Sequence, residues 1–354
     1  MKPNSSFKIM VVAGESGGHV FPAVGFCQDL KQKFAEAAHV TFVSTEVKDA
    51  GAWVPAEFGP VFLRTNKSIV GLLKLAAGAL SLMWRLDPDI VFGFGGYITI
   101  PFVILARIFG KRVLIHEQNV VPGRANRFLG LFAHRIAVSF EGSRGYFGDN
   151  KRVVLARYPL RRSLTRVERN EALQFLGLDR YLFTVLVMGG SQGASRINDK
   201  VIEAFGRNPS LDRMQVIHLC GKRDYEKVSA AYKRLSVKHK VYAFLDDIHY
   251  AYSAADLVIS RSGAGSVFEI MYFALPSIFI PYPYAGGHQM ENARFLARKG
   301  ASILLEDAKM SPEMINGLLD IFLEDSMRRK TMSALADSMY ESTKNIRLED
   351  IILS

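Results

Sequence analysis

The sequence predicts an α/β protein with two doubly wound domains, each built on a parallel sheet. Short apolar runs bounded by turn residues recur along the chain and are separated by segments of helix length, which is typical of strands buried on both faces. Both halves also begin in the same way, because a strand leads into a glycine-rich turn at residues 14–19 and again at residues 189–195. The length of 354 residues is sufficient for two such domains.

The predicted strands form two series along the chain. In the first half they cover residues 8–13, 40–44, 89–93, 112–117 and 135–140. In the second half they cover residues 183–188, 216–219, 241–244, 257–260, 277–281 and 302–305. After residue 310 the apolar positions have helical spacing, so the chain is expected to end in helices.

Residues 150–169 are expected to join the two domains. They contain Pro159 and several arginines but no clear apolar period. We therefore assign the first domain to residues 1–157 and the second to residues 158–354, with the option that the last helix packs back on the first domain. Ligands are expected in the cleft that two such domains form.

The formal net charge of +11 indicates an anionic partner. The basic residues are scattered over many elements rather than collected in a stripe with aromatic residues, so nucleic acid is not expected, whereas a sugar nucleotide or an acidic membrane surface fits. Cys27 and Cys220 lie far apart without ligand spacing, which predicts neither a disulfide nor a zinc site and favours a reducing cytosol. We expect no secretion signal and no bilayer-spanning segment, since no apolar run reaches about 20 residues.

Three glycine-rich turns stand between a predicted strand and a predicted helix, at residues 14–19, 189–195 and 260–266. Glycine in such a turn lets the backbone approach a phosphate, and the helix N-terminus adds N–H donors and positive charge. The turn at residues 14–19 lacks the Lys-Ser/Thr ending of a nucleoside-triphosphate loop, and neither it nor the turn at 189–195 has the spacing of a dinucleotide fingerprint, which disfavours a kinase and an NAD enzyme. Tight packing of strand on helix would explain any one of them alone.

Six longer segments are more specific in combination. They read GESGGHVFPA at 14–23, GFGGYITIP at 93–101, HEQNVVPGRANR at 116–127, GGSQGASRIN at 189–198, FLDDIHYAYSAADLVISRSGAGSVFE at 244–269 and HQMENA at 288–293. In this order they resemble the MurG family, the bacterial UDP-N-acetylglucosamine:lipid I N-acetylglucosaminyltransferases of peptidoglycan synthesis. The resemblance covers almost the whole chain and implies a GT-B fold, in which two Rossmann-like domains face a central cleft and bind the acceptor and the donor, respectively.

The resemblance also implies the reaction and the residues that perform it. N-acetylglucosamine would move from UDP-N-acetylglucosamine to lipid I, forming lipid II with inversion and with no metal or other cofactor. His19 would be the general base, and Glu269 would bind the donor ribose. The implied donor contacts are Asn119, Arg161, Ser191, Leu245, Arg261, Ala264, Gly265, Ser266, Glu269, His288 and Gln289. The implied phosphate and acceptor loops contain Ser16, Gly17, Gly18, Gly95, Gly96, Tyr97, Gly190 and Gly193.

The residue chemistry is compatible with that reaction. A neutral imidazole near pH 7 suits proton abstraction from a hydroxyl group, and helix N-termini with arginine can stabilise a departing diphosphate. The adjacent Asp246 and Asp247 are interpreted as a turn and not as a metal-binding pair. The chain departs from the family pattern at three places. Residues 157–161 read RYPLR where Gly-Asn-Pro-Val-Arg is usual, Gly265 stands where a larger residue is common, and two glycines at 286–287 replace a more polar approach to His288 and Gln289.

Simpler roles remain open for several of these residues. His19 could bond the backbone at a helix start, and His116 could orient its loop rather than react. Glu269 could complement a helix dipole, Asn119 could be a turn residue, and Arg261 could pair with a neighbouring acid.

The apolar segment 68–84 has two interpretations. It is either a buried crossover helix or an exposed patch that touches the cytoplasmic membrane through Ile69, Leu72, Leu73, Met83 and Trp84. The second interpretation would make the protein peripheral on the cytoplasmic face of the bacterial inner membrane, where proteins of the cell-wall machinery are further candidate partners. Two other function classes stay open, a sugar-nucleotide 2-epimerase or hydrolase of the same fold and a non-catalytic nucleotide-binding protein.

Overall fold

The computed structural model describes residues 6–46, 53–66, 68–148, 151–190, 193–284, 287–343 and 346–352. The chain divides into two compact units, Met1–Arg162 with Thr343–Ser354 and Ser163–Ser342. The division therefore falls after Arg162 rather than after residue 157, and the C-terminal segment belongs to the first unit.

The first unit contains a seven-stranded parallel sheet with the strand order β3-β2-β1-β4-β5-β6-β7. Its strands are β1 (Phe7–Val12), β2 (Ala38–Thr45), β3 (Val61–Leu63), β4 (Ile90–Gly93), β5 (Arg112–Glu117), β6 (Arg135–Val138) and β7 (Val153–Leu155). Its first four helices are α1 (Gly17–Phe34), α2 (Ile69–Leu86), α3 (Thr99–Ile108) and α4 (Arg124–Leu129).

The residues of β1 show why this sheet is covered on both sides. Ile9 and Val11 belong to one buried cluster, with α1, whereas Met10 and Val12 belong to another, with α2 and α3. Successive side chains of a strand point to opposite faces, so a strand with apolar residues on both faces needs helices on both sides of the sheet.

The second unit contains a six-stranded parallel sheet with the order β10-β9-β8-β11-β12-β13. Its strands are β8 (Phe183–Met188), β9 (Met214–Leu219), β10 (Lys238–Tyr242), β11 (Leu257–Ser260), β12 (Ser277–Phe279) and β13 (Ile303–Leu304). Its helices are α5 (Arg169–Leu176), α6 (Ser195–Phe205), α7 (Tyr225–Tyr232), α8 (Ile248–Ala254), α9 (Ala264–Tyr272), α10 (His288–Ala297), α11 (Pro312–Glu324) and α12 (Ser326–Glu341).

The last described helix, α13 (Leu348–Ile351), completes the core of the first unit. Leu348, Ile351 and Ile352 are buried in the same cluster as the α1 side chains, and the Arg157 N–H donates to the Ile346 carbonyl at 2.8 Å. The chain thus leaves the first unit, forms the whole second unit and returns.

The prediction of two doubly wound parallel sheets is confirmed, and each predicted strand has a counterpart. The strands β3 and β7 were missed, and β7 lies inside the segment interpreted as a domain linker. Both have three residues and lie at the edges of the sheet. A strand that short shows no period that a sequence pattern could reveal.

Helix α2 has one buried and one exposed apolar face. Leu75, Ala79, Leu82 and Met83 are buried in the core cluster that includes α3 residues, whereas Trp84 is 76% exposed. Including Met83 in the exposed patch was therefore wrong, and the buried-helix interpretation holds for the inner face only.

Among the described residues, α2 is also long and apolar enough to cross a bilayer by length and composition alone, contrary to the expectation from the sequence. A helix that packs on a sheet through an apolar face passes the same test.

Candidate functional site

In the first unit, the candidate residues follow the carboxyl ends of three neighbouring strands. The turn 14–19 comes after β1, Gly95 and Gly96 come after β4, and the loop 118–123 comes after β5. These strands are adjacent in the sheet order, so their ends meet at one edge, where doubly wound sheets bind ligands.

The imidazole of His19 lies between two glycine turns. A Cβ atom on Gly14 would stand 2.9 Å from His19 Nδ1, and one on Gly95 would stand 3.0 Å from Cδ2. Gly95 also has φ +93°, which other residues rarely adopt. The space that the ring of His19 occupies, together with the positive φ at Gly95, therefore favours glycine at these two positions.

The hydroxyl of Ser16 determines which nitrogen of His19 can act as a base. Ser16 Oγ lies 3.0 Å from His19 Nδ1. If Nδ1–H donates to Oγ, Nε2 keeps its lone pair and can accept a proton, whereas the opposite arrangement puts the proton on Nε2. His19 lies in the first turn of α1, and its ring contacts the side chain of Ser16.

The carboxylate of Glu117 organises the loop after β5. Its Oε1 accepts from the backbone N–H of Asn119 at 2.8 Å and from Asn119 Nδ2 at 3.2 Å. Its Oε2 accepts from the Gly123 N–H at 3.1 Å and from Asn126 Nδ2 at 2.9 Å. Burial raises the pKa of Glu117, and these hydrogen bonds oppose that effect. Asn119 therefore has a turn-stabilising contact, while its donor contact stays a prediction.

Two neighbours of Glu117 connect this loop to the glycine turns. Gln118 Nε2 donates to the carbonyls of Gly18 and Phe94, both at 3.2 Å. His116 is fully buried, with Nε2 2.8 Å from Ser139 Oγ, and burial lowers its pKa to about 3, with a smaller effect of His19. His116 is thus a neutral structural residue.

Three further candidates of the first unit have identifiable surroundings. Tyr97 is half-buried, and burial with the nearby Glu15 raises the pKa of its phenol. The guanidinium of Arg161 lies 4.2 Å from the ring centre of Phe21. In the atypical segment before Arg161, the carbonyls of Pro159 and Leu160 approach α1 closely. A Cβ atom on Gly25 of that helix would lie 2.6 Å from the Pro159 carbonyl oxygen.

In the second unit, the glycine turn after β8 packs against the end of β9. Gly190 and Gly193 have φ of +86° and +74°, and a Cβ on Gly193 would collide with the Cys220 carbonyl. Asn198 Nδ2 donates to that carbonyl at 3.0 Å and to Asp224 Oδ2 at 2.9 Å. Ser191 lies outside the described residues.

Glu269 is the sixth residue of α9 and is 8% exposed. The Tyr252 hydroxyl donates to its Oε2 at 2.8 Å. Charge–dipole effects fall off within the first turn of a helix, so the helix-dipole explanation does not account for a carboxylate at this position. Ala264, Gly265 and Ser266 form the first turn of α9.

The remaining donor candidates border the same edge of the second sheet. Leu245 is half-buried between β10 and α8, and His288 is the first residue of α10. Gln289 Oε1 accepts from the Tyr282 N–H at 3.0 Å. Arg261 is buried and forms an ion pair with Asp307 at 2.6 Å. It therefore has the acidic partner expected if its role is to pair with a neighbouring acid.

Sequence analysis missed the supporting residues Glu117, Asn126, Tyr252 and Asp307. The first three stand inside quoted motifs, but only the fold shows what they bond. No cluster of three or more His, Cys, Asp or Glu side chains that could hold a metal occurs in the part of the chain that the structure describes.

Two Rossmann-like units with glycine turns at the carboxyl edges of their sheets have the architecture of the GT-B class, to which glycosyltransferases belong. Family models agree, since the N-terminal domain of glycosyltransferase family 28 matches residues 9–138 and its C-terminal domain matches residues 184–346. The chain belongs to the MurG family, and it is a hexosyltransferase.

The most informative relatives cover nearly the whole chain. A protein of Desulforamulus reducens named UDP-N-acetylglucosamine--N-acetylmuramyl-(pentapeptide) pyrophosphoryl-undecaprenol N-acetylglucosamine transferase is 32% identical over 98% of this chain and 97% of its own. The protein of the same name from Halothermothrix orenii is 33% identical over 94% of each chain. The crystal structure of Acinetobacter baumannii MurG matches with a TM-score of 0.74 and 27% identity, covering 98% of this chain and 99% of that one.

Proposed function

We propose that this protein transfers N-acetylglucosamine from UDP-N-acetylglucosamine to lipid I, the undecaprenyl-pyrophosphoryl-muramoyl-pentapeptide, and so forms lipid II. The observation that supports this choice of substrates is the name shared by relatives that are 32–33% identical over almost their full length. The reaction inverts the anomeric carbon in one displacement and needs no cofactor.

On the acceptor side, His19 is the general base. With Nδ1–H donating to Ser16 Oγ, Nε2 takes the proton of the acceptor hydroxyl. The hydroxyl oxygen then forms a bond to the anomeric carbon while the bond from that carbon to the β-phosphate oxygen breaks. The proton ends on His19, and the electron pair leaves with UDP.

On the donor side, Glu269 accepts hydrogen bonds from the ribose hydroxyls, and Tyr252 fixes the orientation of its carboxylate. The N-terminus of α9, with Ala264, Gly265 and Ser266, and the glycine turn at 189–195 stabilise the departing diphosphate. The other donor contacts follow the family pattern, with the backbone at Leu245 for uracil, Arg161 and Ser191 for the diphosphate, and Asn119, His288 and Gln289 for the sugar.

The exposed face of α2 is the proposed contact with the cytoplasmic membrane, where a polyprenyl-linked acceptor resides. Ile69, Leu73 and Trp84 are 79%, 65% and 76% exposed, and the basic residues Lys74 and Arg85 are exposed on the same helix. Apolar side chains with basic neighbours bind anionic bilayers reversibly. The protein would then be peripheral on the inner membrane. Interaction with proteins of the cell-wall machinery at that membrane is a further prediction.

A transfer assay with radiolabelled donor tests the proposal. We expect label from UDP-N-acetylglucosamine in lipid II only when lipid I is present. Release of free sugar or of an epimerised donor without lipid I would instead indicate the hydrolase or 2-epimerase alternative. Binding of donor without any turnover, unchanged by His19→Ala, would favour a nucleotide-binding protein.

A further inference from the structure

Arg261 and Asp307 form a buried ion pair at the carboxyl edge of the second sheet. Arg261 follows β11, and its Nη1 donates to Asp307 Oδ1 at 2.6 Å and to the carbonyls of Ile280 and Pro281, both at 3.0 Å. The two side chains are only 9% and 11% exposed. A guanidinium group used in this way holds the segment after β12 in a fixed position.

That segment is bonded directly to Gln289. The residue after Pro281 is Tyr282, and its backbone N–H donates to Gln289 Oε1 at 3.0 Å. Ser262, the neighbour of Arg261, donates from its hydroxyl to the Gln289 backbone carbonyl at 2.8 Å. A continuous series of contacts therefore runs from Asp307 through Arg261 and residues 280–282 to the side chain of Gln289.

Asp307 also has a second, more exposed contact. Its Oδ2 lies 3.0 Å from Arg196 Nε, and its backbone carbonyl accepts from Arg196 Nη2 at 3.0 Å. The Arg196 side chain is 53% exposed, so this pair contributes less than the buried one.

We propose that Asp307 is a positioning residue, which acts through Arg261 to orient the Gln289 amide toward the sugar half of the donor. This inference rests on the proposed function, because it assumes that Gln289 contacts the transferred sugar. With its oxygen bonded to Tyr282, the Gln289 side chain presents Nε2 to a ligand and thus selects an acceptor atom, such as a hydroxyl or acetamido oxygen. Without the charge of Asp307, the buried guanidinium loses its counter-ion, and residues 280–282 lose their fixed position.

The test is Asp307→Asn in the full-length chain, with calorimetric affinities for UDP and for UDP-N-acetylglucosamine. We expect affinity for UDP-N-acetylglucosamine to fall roughly three- to tenfold, as for one lost hydrogen bond, with a matching rise in KM and little change in kcat. Affinity for UDP, which lacks the sugar, should stay within about twofold. Glu313→Gln is the matched control, because it removes the charge from an exposed pair with Arg207 in the same unit.

Two outcomes overturn the inference. One is a decrease in affinity that is equal for UDP and for UDP-N-acetylglucosamine in Asp307→Asn. The other is a selective decrease in affinity for UDP-N-acetylglucosamine of the same size in Arg196→Gln, a variant that breaks only the exposed contact. Should Asp307→Asn fail to fold, Asp307→Glu keeps the charge and displaces the carboxylate, and it should still weaken UDP-N-acetylglucosamine selectively. Donor binding by the wild-type chain is measured first, because its absence would refute the proposed function itself.

Discussion

Replacing Glu117 by glutamine should destabilise the first unit, although the two side chains have nearly the same shape. Each carboxylate oxygen accepts two hydrogen bonds, so an amide nitrogen at either end faces two donors. The less costly orientation puts the nitrogen at the Oε2 end, because Asn126 Nδ2 still donates to the His116 carbonyl at 2.9 Å. The Gly123 N–H is then left without its acceptor.

The magnitude follows from these lost contacts. Leaving the part-buried Gly123 N–H without its acceptor costs about 1–3 kcal/mol, and the weakened Asn126 contact adds roughly 1 kcal/mol, which gives about 2–4 kcal/mol in total. In a unit of this size that corresponds to a decrease of roughly 5–15 °C in Tm.

Calorimetric unfolding of the full-length variant measures this effect. Glu141→Gln is the control, because Glu141 is 60% exposed in its pair with Arg144 and its loss should change stability by less than about 0.5 kcal/mol. If the Tm of the Glu117→Gln protein lies within about 2 °C of the wild-type Tm, the argument from hydrogen-bond polarity is refuted.

Four other changes test the site and the surface. His19→Ala should lower kcat by roughly 10²–10⁴-fold and leave UDP affinity intact, because the base acts on the acceptor. Glu269→Ala should weaken UDP binding by roughly 1.5–3 kcal/mol in calorimetry, the usual range for hydrogen bonds to a charged group. His116 stays neutral in the fold, with its pKa lowered to about 3, whereas the unfolded chain takes up the proton near pH 6.5, so stability present above that pH is lost as the pH falls toward 3. Acidification from pH 7 to 4.5 should cost about 2.5 kcal/mol through this group, and His116→Asn should flatten the pH profile by about that amount. Serine at Leu72 and Trp84, which are 45% and 76% exposed, should reduce binding to anionic vesicles with little change in Tm.

Each of these expectations has a contrary result. A kcat loss below tenfold would remove His19 from the role of base, and unchanged UDP affinity would remove Glu269 from the ribose site. An equally steep acid dependence in His116→Asn would assign the protonation to other groups, of which the buried His218, with a pKa of about 3, is the first candidate. Vesicle binding that survives the double serine variant would require another surface.

The sequence was most informative where a pattern is repeated. Long strands show burial on both faces, over all six residues of β8 and five of the six residues of β1, whereas the three-residue β3 and β7 leave no pattern. The faces of α2 could not be separated, because apolar residues surround much of its circumference and only the packing of α3 shows which are covered.

The sequence motifs predicted which residues belong to the site but not which groups those residues contact. A motif indicates that Arg261 and Asn119 stand near a ligand, but the bond partners of both depend on distant or buried groups. Asp307 lies 46 residues beyond Arg261, and no local pattern connects them. Pairs of that kind arise from the order of the strands in the sheet, which a single sequence does not display.

The return of the chain to the first unit has a consequence for synthesis on the ribosome. Residues 163–342 are continuous and can fold as soon as they emerge, whereas the hydrophobic core around α1 is incomplete until Leu348, Ile351 and Ile352 have been made. The part of the protein that is translated first is therefore the last to reach its final stability. During most of translation its apolar surface under α13 is uncovered, and nascent chains that stall before residue 346 should depend on chaperones for the N-terminal half alone.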